Sequence, residues 1–241
     1  MVKITSFIRL GLLFAILAIT GCAATQHSTE VNDPYEGYNR FMYSFNDKVD
    51  RAVTKPVAKG YNYVMPDIVS KSVSNFFRNL DDITVIINDV LQLKINQAIY
   101  DTGRFVTNST IGVFGLFDVA TPSGLKKNNE DFGQTLGYWG IDTGAYIVLP
   151  LLGPSNIRDT FGLVGDYYTD PLTYVEGPAA SNPLYATRII DDRADLLSAE
   201  KVLDEAAMDE YNYVRDGYLQ RRLNLVHDGN PPEDDFDVFE D

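Results

Sequence analysis

Few side chains in this chain are equipped for chemistry. Its 241 residues include one cysteine, Cys22, and two histidines, His27 and His227. A general base works within hydrogen-bond reach of the proton it takes. His27, however, lies in a run of small polar residues, and His227 stands beside a run of acids. There is no Gly-x-Ser-x-Gly elbow, no His-Glu-x-x-His pair and no Gly-x-x-x-x-Gly-Lys phosphate loop. Asp81-Asp82 and Asp191-Asp192 have the composition of acid/base dyads. Adjacent residues on a helix nevertheless point about 100° apart, and acids near a helix start are favoured by its dipole. They read better as ordinary helix acids, so no enzyme, metal site or cofactor is expected.

Two further constellations bear on binding. Lys48, Arg51, Lys55 and Lys59 are spaced three, four and four apart, and the first three share a helix face. A solvated face is the favoured reading. The other is contact with phospholipid head groups, where each basic side chain near an anionic surface contributes about 1 kcal/mol. Between Phe132 and Ile157 the only charged residue is Asp142, and glycines stand at Gly133, Gly137, Gly140 and Gly144. On a helix they would form one smooth face for close approach; in a loop they would be hinges. A membrane-embedded hairpin and an ordinary buried crossover both fit.

The amino terminus gives Cys22 its chemistry. Residues 1–9 carry Lys3 and Arg9 and no acid, and Leu10–Ile19 is an apolar run. It is too short to span a bilayer, which takes about 20 residues, but suits a signal-peptide core. Ile19-Thr20-Gly21-Cys22 resembles a bacterial lipobox. That resemblance implies cleavage after Gly21 and acylation of Cys22 at its sulfur and new amino group. The thiol is then no nucleophile, and no disulfide forms. Losing Lys3 and Arg9 with residues 1–21 takes the net charge from −14 to −16. Such a balance argues against nucleic acid, whose binding needs basic residues to displace counterions. The 15 tyrosines suit either an interfacial surface or a tyrosine-rich core.

Helical periodicity dominates the rest. Residues 23–32 are small and polar, a flexible tether. Asp33-Pro34-Tyr35-Glu36 reads as cap, first-turn proline and capping-box acid. Tyr35, Tyr38, Met42, Phe45, Val49 and Ala52 follow on one stripe, with Pro56 ending or kinking the helix. A second helical region opens at Pro66-Asp67. Ile83, Ile86, Ile87, Val90 and Leu91 have the spacing of a buried face, and Ile95, Ile99, Thr102, Val106 and Ser109 can continue helically. Helix gives way near Gly112 and Gly115. Tyr146–Leu149 could be extended but has no evident partner. Asn182-Pro183 looks like a new helix start, with Leu196, Leu197, Val202, Leu203 and Ala206 as buried residues of a helical region reaching about His227. Residues 228–241 contain seven acids and no base and read as a disordered tail. The residues predict an all-α body over 33–227 with a glycine-rich insert.

The ordered motifs resemble the MlaA (VacJ) family of outer-membrane lipoproteins. They include Asp33-Pro34-Tyr35-Glu36-Gly37-Tyr38-Asn39-Arg40, Phe45-Asn46 and Val64-Met65-Pro66. Further along come Gly115-Leu116-Phe117-Asp118, Glu130-Asp131-Phe132-Gly133-Gln134-Thr135-Leu136-Gly137 and Gly153-Pro154-Ser155 with Arg158-Asp159. Tyr213, Arg215, Tyr218 and Arg222 fit near the end. The resemblance implies a membrane-embedded ring of amphipathic helices with a glycine-rich hairpin or ridge and a central amphipathic channel. Phospholipids astray in the outer leaflet would pass through it to a soluble periplasmic carrier that feeds an inner-membrane ABC transporter. It also implies association with a trimeric porin. On this likeness Gly133, Gly137, Gly140, Gly144 and Tyr146 are the candidate channel or gate positions, and Lys48, Arg51 and Lys55 the candidate head-group contacts. Ala23 after the cysteine is consistent with outer-membrane delivery. The rival readings are a scaffold lipoprotein that binds porins without moving lipid, and a degraded phospholipase, for which no catalytic set exists.

Overall fold

A computed structural model describes residues 33–206 and 209–232. The signal segment, Cys22, the tether and tail residues 233–241 lie outside the described residues, as do the side chains of Val202, Leu203 and Ala206. The fold is helical with one small hairpin. Helix α1 (Glu36–Val49) runs through a π-helical turn, Asp50–Thr54, into α2 (Lys55–Val64). Then α3 (Asp67–Leu91) is followed at once by α4 (Ile95–Thr110), packed along it. Beyond a long connection come α5 (Phe132–Tyr138), strands β1 (Tyr146–Leu149) and β2 (Gly153–Asn156), and α6 (Ile157–Thr169). Helices α7 (Pro178–Ala206) and α8 (Glu210–Val226) complete it.

Several local expectations are corrected. Asp33 does not cap α1, whose cap position is Tyr35 without a side-chain bond. The Asp33 carboxylate instead accepts from Asn39 Nδ2 at 2.7 Å and from the Tyr211 hydroxyl. Pro56 does not end the helix, because it falls in the first turn of α2, where a missing N–H is tolerated. Helix α7 begins at Pro178 and carries Pro183 inside it. The strand at Tyr146 does have a partner: Tyr146 pairs with Asn156 and Leu149 with Gly153 in an antiparallel ladder. Gly153-Pro154-Ser155-Asn156 concealed it, since these residue types are poor strand formers.

The packing closes on itself. Helix α2 lies against α7, α7 against α3, and α3 against α5 and α6. Helix α5 then meets α8, α8 meets β2, and β1 meets α1. Polar links fasten this circuit. Lys55 reaches Glu200 at 2.8 Å between α2 and α7, and Arg188 reaches Asp81 at 2.6 Å between α7 and α3. Thr135 donates to Asn88 at 2.7 Å between α5 and α3, and Arg40 meets Asp209 at 3.0 Å beside α8.

The faces that turn inward are not the apolar ones. Inside α3 the buried residues are Phe77, Asn79, Asp82, Val85, Asn88 and Asp89, and inside α4 they are Ala98, Asp101, Arg104 and Asn108. Ile87 and Val90, expected in the core, are exposed, as is Leu196 on α7, and Ile95, Ile99 and Val106 on α4 are exposed too. Among the described residues seventeen polar or charged side chains are buried against ten hydrophobic ones. In water this arrangement would forfeit the main favourable contribution to folding.

Many of the buried polar groups pair with one another, although both Asp89 carboxylate oxygens and the Tyr146 hydroxyl have no hydrogen-bond partner. Arg104 donates at 2.7 Å to both the Thr121 hydroxyl and the Leu125 carbonyl, and lies 3.4 Å from Asp82. Asn108 accepts from the N–H groups of Val119 and Ala120 at 2.9 Å each. The connection between α4 and α5 is thus pinned against α3 and α4 by side chains the helices turn inward. Burial, together with the neighbouring carboxylates of Asp101 and Glu130, pushes the Asp89 carboxyl up to about 8.

Candidate functional site

The glycine-rich segment is not one helical face. Only Gly133 and Gly137 lie in α5, and each is a point of close approach. A Cβ on Gly162 of α6 would stand 2.5 Å from the Gly133 nitrogen, and one on Gly137 would meet Arg158 and Val226 at 2.9 Å. Gly140 and Gly144 stand outside any helix, with φ of +87° and +68°. They bracket the turn that carries Ile141-Asp142-Thr143, which fits the hinge alternative. Tyr146 is 1% exposed and packs edge-on to Tyr211, with ring centroids 6.3 Å apart. It is a core side chain, so of the five proposed channel or gate positions Gly140 and Gly144 alone occupy a turn.

The proposed head-group contacts also divide. Arg51 pairs with Asp47 at 2.7 Å and Lys55 with Glu200 at 2.8 Å, so both face acids of this chain. Lys48, in the last turn of α1, is exposed.

Sequence reasoning missed the place where these elements converge. The N-terminal end of α5, the hairpin, α6 and α8 line a partly open cavity of about 230 Å³ of mixed character. Leu149, Leu152, Pro154 and Leu163 supply its apolar lining and Asp131, Asp159, Asp166, Tyr218 and Arg222 its polar lining, with Leu163 between Asp159 and Asp166 on one face of α6. Asp131 caps α5, accepting from Gln134 N at 2.8 Å. Burial alone would raise its carboxyl, but Arg222, which donates to it at 2.8 Å, and Gln134 hold it below the usual range. Arg222 also reaches Asp159 at 2.7 Å, and Asp159 accepts from Tyr218 at 2.8 Å. Asp166 differs: its side chain accepts from the Phe132 backbone N–H at 2.8 Å, and burial pushes it up to about 7. Asp131, Asp159 and Arg222 do belong to the quoted motifs, but nothing in their spacing shows that they line one cavity.

No group of histidines, cysteines or acids among the described residues could hold a metal ion. No described helix is long and apolar enough to cross a membrane. Outside the cavity, exposed Tyr35, Tyr38, Phe41 and Phe45 run along α1. Val113, Phe114, Leu116 and Phe117 cluster beyond α4, and Phe161, Val164, Tyr167 and Tyr168 run along α6. Apolar exposure on this scale marks a surface made to be covered.

The family model described as MlaA lipoprotein matches residues 31–225. The chain belongs to the MlaA lipoprotein family. It is 35% identical over 225 residues to the intermembrane phospholipid transport system lipoprotein MlaA of Haemophilus influenzae, covering 90% of this chain and 89% of that one. The Escherichia coli protein of the same name is 32% identical over 216 residues, 88% of this chain and 85% of that one. An uncharacterized protein of Rickettsia bellii is 34% identical over 205 residues, 85% of this chain and 78% of that one. A structure solved under the heading "Structural basis for maintenance of bacterial outer membrane lipid asymmetry" superposes with a TM-score of 0.71 at 31% identity. That match covers 80% of this chain and 98% of the other. The MlaA family is thus recovered from both sequence and fold, and its members so named are lipoproteins of an intermembrane phospholipid transport system.

Proposed function

We propose that this protein is an outer-membrane lipoprotein that passively removes mislocalised phospholipids from the outer leaflet. It hands them to a soluble periplasmic carrier feeding an inner-membrane ABC transporter, and so maintains lipid asymmetry. The observation that carries this reading is the inverted helix faces, apolar outward and polar inward. Such a body is suited to an apolar surrounding with a polar path inside it. Because no described helix can cross a membrane by itself, the ring as a whole is the immersed unit, held by three acyl chains on Cys22. Residues 1–21 are the removed signal, 22–32 the tether, 33–227 the working body and 228–241 the acidic tail. A trimeric porin is the neighbour within the membrane. Lys48 faces the head groups, and the turn at Gly140 and Gly144 is the gate. A Cβ at Gly140 meets open space, but alanine is strained at its φ of +87°, so Gly140→Ala biases the turn away from this conformation without a packing clash. Lipid transfer into acceptor vesicles is expected to slow in this variant, and an unchanged rate rejects the gate.

Transport itself is tested in cells that lack the protein. Phospholipid is expected to accumulate in the outer leaflet, with sensitivity to detergent. Normal asymmetry in those cells, with the porin still co-purifying with the protein, would leave the scaffold reading instead.

A further inference from the structure

We infer that the cavity between α5, the hairpin, α6 and α8 is a subsite for an alkylammonium group, with its positive nitrogen at Asp166 and its carbon chain along Leu149, Leu152 and Leu163. The inference deepens the transport reading by naming a head-group chemistry, and rests on that reading only for its second test.

Charge balance points to a cation. Three carboxylates line the cavity against one guanidinium. Arg222 is spoken for, since it bridges Asp131 at 2.8 Å and Asp159 at 2.7 Å. Asp159 is further occupied by Arg158 at 3.0 Å and Tyr218 at 2.8 Å. Asp166 has a single backbone N–H at 2.8 Å and no basic side chain in ion-pair contact. Asp131 and Asp159 are matched by Arg222 and Arg158, so once Asp166 is ionised it alone repels an entering anion, whereas an ammonium supplies the missing partner with up to three N–H donors.

The apolar lining beside Asp166 says what the nitrogen is attached to. Leu149, Leu152, Pro154 and Leu163 would gain nothing from a hydrated inorganic cation, but they match an alkyl stem. Leu152 and Leu163 are 72% and 43% exposed, so they belong at once to the cavity and to the outer apolar surface. A ligand can therefore arrive from an apolar phase. The volume of about 230 Å³ lies below the roughly 300–1,000 Å³ of sites that enclose drug-sized molecules. It suits a head-group terminus and its first carbons rather than a whole lipid. The pH behaviour follows from the groups facing Asp166: Asp131 ahead of α5, Asp159 on α6, and Tyr218 and Arg222 on α8. Asp166 must be ionised to hold a cation, and its own titration near pH 7 sets the working range.

The test uses the full lipidated protein in neutral detergent, titrated calorimetrically with hexylammonium, hexanol or hexanoate. Hexylammonium is expected to bind at pH 8 and about tenfold more weakly at pH 6, where about a tenth of Asp166 is ionised. Hexanol and hexanoate should bind at least tenfold more weakly at either pH. Asp166→Asn keeps the acceptor for Phe132 and is expected to lose tenfold or more in hexylammonium affinity. Leu152→Trp, at an exposed position, should do the same by filling the mouth. Binding of hexanol equal to hexylammonium, or undiminished hexylammonium binding in both variants, overturns the subsite. A second arm compares transfer of phosphatidylethanolamine and phosphatidylglycerol with matched chains between vesicles. A fall in the ethanolamine-to-glycerol ratio for Asp166→Asn identifies the lipid head group as the source of the ammonium. An unchanged ratio with lost hexylammonium binding assigns the site to a free cationic amphiphile. Failure of the parent protein to transfer either lipid defeats the transport reading and leaves the amine titration to be judged alone.

Discussion

Asn39 and Asn46 carry more of this fold than their residue type suggests. Asn39 is fully buried; it donates to the Tyr146 carbonyl at 3.1 Å and accepts from the Val148 N–H at 2.9 Å. Asn46 donates to the Leu149 carbonyl at 2.9 Å and accepts from the Leu151 N–H at 2.7 Å. Seven helical residues rise about 10.5 Å, and three strand residues span about 10 Å, so two amides on α1 match the backbone of β1. Asn39→Ala is expected to cost roughly 2–3 kcal/mol, since it leaves a buried donor and acceptor unpaired. Asn46→Ala should cost less, because its partners are partly solvated. Urea unfolding in neutral detergent checks the order, and equal costs would show that burial does not decide it. Both asparagines were visible in the motifs at Tyr38-Asn39 and Phe45-Asn46, but a polar residue on an apolar stripe gives no hint of which backbone it will meet. Asp166 supplies the pH prediction. Its carboxyl titrates near 7 when folded, against an ordinary value of 3.8. Its contribution to stability is therefore greatest below about pH 4 and declines as pH rises toward 7, because ionisation is harder in the folded protein. The stability of Asp166→Asn relative to the parent should rise across that window, read from melting temperatures at pH 5 and 8. A constant difference would place the Asp166 pKa elsewhere.

At the level of elements, helices were legible and their orientation was not. The spacing of Ile83, Ile87 and Val90 fixes the angle of an apolar stripe. It is silent about the medium that stripe faces, because an amphipathic helix has the same periodicity in water and in lipid. Ile87 and Val90 consequently lie outside, while Asn88 and Asp89 beside them lie inside. The hairpin escaped because Pro154 and Gly153 obscure one strand. Glycines sort by neighbourhood rather than by spacing. Gly162→Ala places a methyl group 2.5 Å from the Gly133 nitrogen and 2.7 Å from its Cα, and neither backbone can yield alone. It should lower the melting temperature although alanine favours helix by roughly 1 kcal/mol. Gly103, inside α4 with nothing within 4 Å of its would-be Cβ, should tolerate the same change and gain up to about 1 kcal/mol. Opposite signs in thermal melts are the expected outcome, and a shared sign would mean that α5 and α6 are less tightly packed than their geometry states.

For the molecule as a whole, the decisive property is a distribution rather than a residue. Composition gave a chain with a strong negative charge and many tyrosines, equally suited to a soluble core or an interfacial surface. Only the assembled body shows charges such as Asp82, Asp101 and Arg104 buried while Phe41, Phe114 and Phe161 are exposed. Trp139, the one tryptophan, is 52% exposed beside Tyr138 and Ile141, and it reports on immersion directly. In vesicles its fluorescence should be quenched by lipids brominated on their acyl chains, and not by bromide ion in the aqueous phase. The reverse pattern would put this end of the ring in water.

The amides of α1 have a consequence for life in a crowded compartment. A two-stranded ribbon is barely stable alone and exposes backbone that a strand from another chain can join. Here the outer rim of β1 is occupied by Asn39 and Asn46, and β2 lies against α8 with Pro154, which has no N–H to offer. The hairpin is sheathed on both flanks. Two copies of this chain can thus meet without their ribbons zipping together.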